Sequence, residues 1–96
     1  MTRTRVHEML LSVKEAARRQ YKAELKGVFG SFARSEANAD SDVDVFVEFQ
    51  KGATLLDLAG LGNFLEEKLQ RRVDIVTPAS MREELKEQIY NDMVYL

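Results

Sequence analysis

From Val43 to Phe49 apolar residues recur at every second position, as Val43, Val45, Val47 and Phe49, interleaved with Asp44, Phe46 and Glu48. This is the period of a strand with one buried face. Asp42 extends the polar set by one step, so Asp42 and Asp44 point the same way, roughly 6.5–7 Å apart along the strand. Asp is a poor strand residue, and two like charges on one face repel. A solvated strand face with a polar start would account for the pair. So would a divalent cation that offsets the repulsion, since Mg²⁺ takes one or two carboxylates and completes its octahedron with water and phosphate oxygens. Asp40, Asp42 and Asp44 also match the opening of an EF-hand loop, but that loop needs Gly where Val45 stands and Glu where Lys51 stands.

The approach to this strand is equally constrained. Leu25 to Phe29 reads as a short buried strand that stops at Gly30. Gly30 allows a sharp turn or a close approach to a ligand, and Ser31 is placed to cap a short helix over residues 32–35. A strand, a Gly-Ser turn and a helix start form an anion site, because free backbone N–H groups and the helix dipole point at one spot. No Gly-Lys-Ser/Thr follows, so this is not a P-loop. Arg34 lies on the short helix, placed either to contact a phosphate or to pair with a nearby Glu. A nucleoside triphosphate with Mg²⁺ fits the combination of cradle and carboxylates.

Composition narrows the class. The 96 residues predict one domain spanning 1–96, and a chain of this size buries somewhat over 60% of its unfolded surface. There is no apolar run long enough to span a membrane and no apolar signal segment, so the cytoplasm is the default location. The absence of cysteine excludes disulfides and thiolate metal sites. Residues 1–27 carry seven Lys/Arg and three Glu, a net +4, and the remainder carries seven Lys/Arg and thirteen Asp/Glu, a net −6. That acidic remainder argues against direct nucleic-acid binding, which wants a basic face, and fits cation binding or a basic protein partner.

The rest of the chain reads as scaffold. Val6, Leu10, Val13 and Ala17 predict an amphipathic helix from Met1 to about Gln20. His7, the only histidine, reads as surface decoration rather than a catalyst. Residues 21–24 connect to the first strand. Thr54 and Asp57 resemble a capping box ahead of a leucine stripe (Leu55, Leu58, Leu61, Leu65, Leu69) that predicts a core helix to about Gln70. Gly60 and Gly62 weaken it and suggest a kink or a broken start. Arg72 to Val76 is a strand carrying Asp74 on the face opposite Val73 and Ile75. Ser80 with Glu83 predicts a second capping box and a helix to about Asn91. The apolar residues 93–96 either dock on the core or join a partner surface.

Gly30-Ser31, a ten-residue gap, Asp42-x-Asp44 and the Phe-Ala-Arg after Gly-Ser resemble the signature of the DNA polymerase beta-type nucleotidyltransferase superfamily, and within it the minimal nucleotidyltransferase (MNT) branch. The branch usually has Gly where this chain has Ser35, a departure that bears on the turn and on whether activity is retained. The resemblance implies an α/β or α+β domain with helices packed on a mixed sheet. It implies a third acid on a strand after the intervening helix, a place that Asp74 occupies in Arg-Val-Asp-Ile-Val. Asp42, Asp44 and Asp74 are then the expected catalytic and metal-binding residues, holding two Mg²⁺ ions, with Gly30, Ser31 and Arg34 binding the nucleotide. MNT proteins resemble antitoxins of HEPN-domain ribonuclease toxins, some of which transfer AMP to a toxin tyrosine. A HEPN partner with ATP as donor is therefore the leading expectation. A non-catalytic antitoxin, a catalytic subunit for a small-molecule hydroxyl as in aminoglycoside nucleotidyltransferases, and a homo-oligomer all stay open.

Overall fold

The computed structural model describes residues 2–96, so the expected helix start at Met1 lies outside the described residues. Helix α1 (Arg3–Tyr21) is opened by Thr2, whose Oγ1 accepts from Arg5 N–H at 3.1 Å. It buries Val6, Leu10, Val13 and Ala17, the four residues that its sequence period selects. Lys22 ends it at φ 54°, and strand β1 (Ala23–Phe29) starts at once, two residues earlier than the sequence suggests. Short helix α2 (Gly30–Ala33) follows, then strand β2 (Val43–Phe49), helix α3 (Leu55–Leu69) and strand β3 (Val73–Val76). A single 3₁₀ turn, Glu83–Leu85, leads into helix α4 (Lys86–Asp92) and a two-residue strand β4 (Val94–Tyr95).

The strands form one mixed sheet in the order β3-β2-β1-β4. β1 is antiparallel to both β2 and β4, whereas β2 and β3 are parallel. A parallel pair needs a long crossover, and α3 supplies it. Helices α1 and α3 cover one face over a core that includes Leu10, Leu25, Val45, Val47, Leu61 and Leu65. The other face carries a smaller cluster of Phe29, Phe46, Met81 and Met93, with Ile89 of α4 against it. The strand reading therefore needs one correction. Phe46 lies on the same face as Asp44 yet is only 6% exposed, because the C-terminal segment covers that face beyond the acids.

Local expectations fail where tertiary contacts decide. α3 runs unbroken through Gly60, and the reason for that glycine is a neighbour: a Cβ there would stand 2.6 Å from the ring of Tyr21, which also packs on Phe64 at 5.4 Å. The leucine stripe is core only from Leu61 onward, since Leu55 is 82% exposed at the helix start. The Thr54–Asp57 cap forms, with Thr54 N–H donating to Asp57 Oδ2 at 2.9 Å. The Ser80–Glu83 box does not. Ser80 Oγ instead accepts from Thr77 N–H at 2.9 Å, which closes a turn around Pro78; a 3₁₀ turn begins only at Glu83 and the α-helix at Lys86. Residues 93–96 dock: β4 pairs with Gly27 and Val28, Leu96 N–H donates to Lys26 O at 3.0 Å, and Met93 is buried.

Candidate active site

The sheet register brings the acids together. Asp44 lies on β2 directly opposite Asp74 on β3, and opposite Phe29 of β1 on its other side. Asp42 precedes β2 by one residue, beside Arg72, whose Nε stands 3.6 Å from Asp42 Oδ1. Both side chains of that pair are largely solvated, so the pair holds Asp42 only weakly. Asp44 is half-buried, whereas Asp42 and Asp74 are exposed. Burial, then Asp74, then Asp42 push the Asp44 carboxyl up to about 6, against the opposing pull of Arg34.

Gly30 completes the wall beside Asp44. Its φ is +75°, a conformation that side chains disfavour, and a Cβ on it would collide with Asp44 Oδ2. α2 starts at Gly30 itself, with Phe29 in the cap position and no side-chain cap bond. Ser31 is therefore not the cap that its position suggests. It is the second residue of the helix, and its carbonyl accepts from Glu36 N–H at 2.8 Å. The first N–H groups of any helix lack partners within it, and α2 begins at Gly30, against Asp44.

The end of α2 explains the departure at Ser35. Glu36 N–H donates to Ser31 O at 2.8 Å and Ser35 N–H donates to Phe32 O at 3.2 Å. These are the two bonds of a Schellman motif, whose C′ residue adopts the left-handed conformation that Gly adopts without strain. Ser35 holds φ 60° there.

Arg34 makes the ion pairs that the sequence allowed for it. Its guanidinium bonds Glu36 at 3.0 Å and Asp92 at 2.7 Å, and both partners hold its pKa above the usual arginine value. It also rims a cleft of about 190 Å³ that Gly30 and Phe29 share with Leu85, Gln88, Ile89 and Asp92. Asp92 is a site-wall residue that sequence reasoning missed. Nothing local marks a residue 58 positions away from its partner. Glu66 was also missed: its carboxylate accepts from Val73 N–H at 3.0 Å and ties α3 to the strand that carries Asp74, a contact set by how the chain turns between the two elements.

In the rotamers present, no three acidic or imidazole side chains among the described residues converge closely enough to hold a metal ion. The chemistry of the donor set still fits a hard divalent cation. It consists of carboxylates alone, with Asp44 in register with Asp74 and Asp42 two residues before it, and with a half-buried charge at Asp44 that a cation would relieve.

Four similarities to known proteins bear on this arrangement. Residues 10–96 match the model of the nucleotidyltransferase domain. A protein from Thermococcus cleftensis, protein adenylyltransferase MntA, is 33% identical over 96 residues, which cover 100% of this chain and 97% of that one. A solved structure assigned to a minimal nucleotidyltransferase superposes with a TM-score of 0.77 at 39% identity, covering 100% of this chain and 97% of its own. A crystal structure of a toxin-antitoxin with AMP-PNP shares the fold at a TM-score of 0.68 and 20% identity, over 99% of this chain and 72% of that one.

Proposed function

The chain belongs to the nucleotidyltransferase domain family, and on that premise we propose that it moves AMP from ATP to a protein hydroxyl. The acceptor in this reading is a tyrosine of a HEPN-domain ribonuclease toxin, so that the chain acts as the antitoxin. The protein acceptor is supported by the adenylyltransferase relative that spans the whole chain. A toxin partner and an adenine nucleotide are supported by the toxin-antitoxin with AMP-PNP that shares the fold.

The observation that carries the reading is the register of Asp44 against Asp74, with the bare backbone of Gly30 pressed against Asp44. Asp42, Asp44 and Asp74 are the residues that would hold Mg²⁺. When bound, the ion would supply neutralisation of the charge that develops on the triphosphate during displacement. The first-turn N–H groups of α2 at Gly30 and Ser31 bind the distal phosphates. Arg34 sits at their edge, adding positive charge while anchored by Asp92. Asp74, exposed at the edge of the sheet, faces the acceptor, orients its hydroxyl and helps to take its proton as the oxygen bonds to the α-phosphorus. The bond from that phosphorus to the bridging oxygen breaks, and pyrophosphate leaves.

The test is the intact mass of the protein encoded beside this one after incubation with this chain, ATP and Mg²⁺. An increase by AMP units, absent when Asp42→Asn and Asp44→Asn are combined, supports the reading. An unchanged mass in a stable complex refutes AMP transfer for that pair and leaves inhibition by binding or a small-molecule acceptor.

A further inference from the structure

The loop before the first acid is knitted to itself. Asn38 Oδ1 accepts from Asp40 N–H at 2.9 Å, and Ser41 Oγ accepts from Asn38 N–H at 2.9 Å. One side chain from elsewhere reaches into it. Arg71, in the link between α3 and β3, places Nη1 at 3.0 Å from Ala39 O and at 3.4 Å from both Asn38 O and Ser41 O. Its guanidinium also lies over the ring of Phe32, 5.3 Å from the centroid, and Phe32 is fully buried. A planar guanidinium suits this double duty of stacking and multiple donation, which an ammonium cannot reproduce.

The placement has a consequence for the acids. Asp42 immediately follows the clamped loop, and Asp74 lies three residues beyond Arg71 on β3. Between them Val43 N–H donates to Arg72 O at 2.9 Å, the first bond of the parallel pair. Arg71 thus ties together the two chain segments that deliver Asp42 and Asp74, without touching either carboxylate.

We propose that Arg71 is a positioning residue: by clamping the carbonyls of residues 38, 39 and 41 against Phe32, it sets Asp42 relative to Asp44 and Asp74 and so sets divalent-cation affinity. This rests on the carboxylate-site reading above. Groups that hydrogen-bond metal ligands directly affect metal affinity about 10- to 100-fold; Arg71 acts one step further out, through the loop backbone, so the low end of that range is expected.

The experiment is a Mn²⁺ titration of the full chain followed by electron paramagnetic resonance, with no acceptor present. It compares the wild type with Arg71→Met, Arg71→Lys and the Asp42→Asn/Asp44→Asn double variant, and amide exchange is followed over residues 38–41. The expected result is about tenfold weaker Mn²⁺ binding in Arg71→Met, faster exchange in the loop, and partial recovery in Arg71→Lys. A folded Arg71→Met variant that binds Mn²⁺ as tightly as the wild type overturns the proposal. Should Arg71→Met not fold, equal affinity in Arg71→Lys overturns it instead. A wild type that binds no more Mn²⁺ than the double Asn variant overturns the carboxylate-site reading itself, and this proposal with it. That case differs from failure of Arg71 alone, where the wild type binds and the variants match it.

Discussion

The backbone of Gly30 packs directly against the carboxylate of Asp44, in the space that any side chain at residue 30 would fill. Two constraints meet at Gly30, since its φ of +75° also disfavours a Cβ. Gly30→Ala is expected to cost about 1–2 kcal/mol from backbone strain alone and to push Asp44 away from Asp74. Thermal melts give the first quantity. AMP transfer measured by mass should fall about 100-fold, the scale of a misplacement of about 1 Å. Wild-type transfer in a folded Gly30→Ala protein would show that the contact is incidental.

Asp44 should weaken the fold that holds it. Its carboxyl pKa is pushed from 3.8 to about 6, mainly by burial and then by Asp74 and Asp42. Between those two values the native state binds more protons than the unfolded state, so stability falls as pH rises through that window. Above about pH 6 the full penalty is present. Asp44→Asn removes it and should stabilise the metal-free chain at pH 7.5 by about 1 kcal/mol, once solvent screening of this half-exposed group is discounted. For a domain of this size that is a rise of roughly 4–8 °C in Tm. The gain should vanish near pH 4, and AMP transfer should be lost at every pH. A lower Tm for Asp44→Asn at pH 7.5 would contradict this electrostatic account.

Ser35 occupies the left-handed C′ position of the α2 Schellman motif at φ 60°. Ser35→Gly relieves strain of about 1–2 kcal/mol and returns roughly 0.5–1 kcal/mol as unfolded-chain entropy. The net expectation is a stabilisation of about 0.5–1 kcal/mol, read from urea midpoints at unchanged m. Ser35→Val should move the midpoint the other way, because a β-branched residue is least tolerant of this conformation.

Arg34 and Asp92 join α2 to α4 across the edge of the cleft, at 2.7 Å, with side chains 39% and 22% exposed. A double-mutant cycle with Arg34→Gln and Asp92→Asn should give a coupling of about 0.5–1 kcal/mol. If Arg34 also serves the phosphates, Arg34→Gln raises KM for ATP more than it lowers kcat, whereas Asp92→Asn changes KM much less. Equal effects of the two on KM would make Arg34 structural only.

The elements that local period and turn chemistry control were legible without coordinates. They include the buried stripe of α1, the alternation of β2, the stop at Gly30, the Thr54–Asp57 cap and the stretch that carries Asp74. Each follows from residues within a few positions of one another, and so does the spacing that joins Gly30-Ser31 to Asp42-x-Asp44. Where a local signal failed, a distant neighbour had displaced it. Tyr21 supplies the reason for Gly60 inside an unbroken helix, Thr77 takes the Ser80 hydroxyl, and Met81 and Met93 bury Phe46 on the face of the acids.

What the sequence by itself determined is the inventory of the candidate site: three acids, a glycine turn and an arginine, each on an identifiable element. Only the tertiary structure decided their geometry. Asp44 faces Asp74 because α3 carries the chain over to lay β3 parallel to β2, and one residue of slip would turn Asp74 to the other face. Arg34 meets Asp92, and Arg71 meets the loop before Asp42, across separations of 58 and about 30 residues. Such contacts form only once a packed sheet offsets the entropy of closing long loops, and no pattern within a single element encodes them.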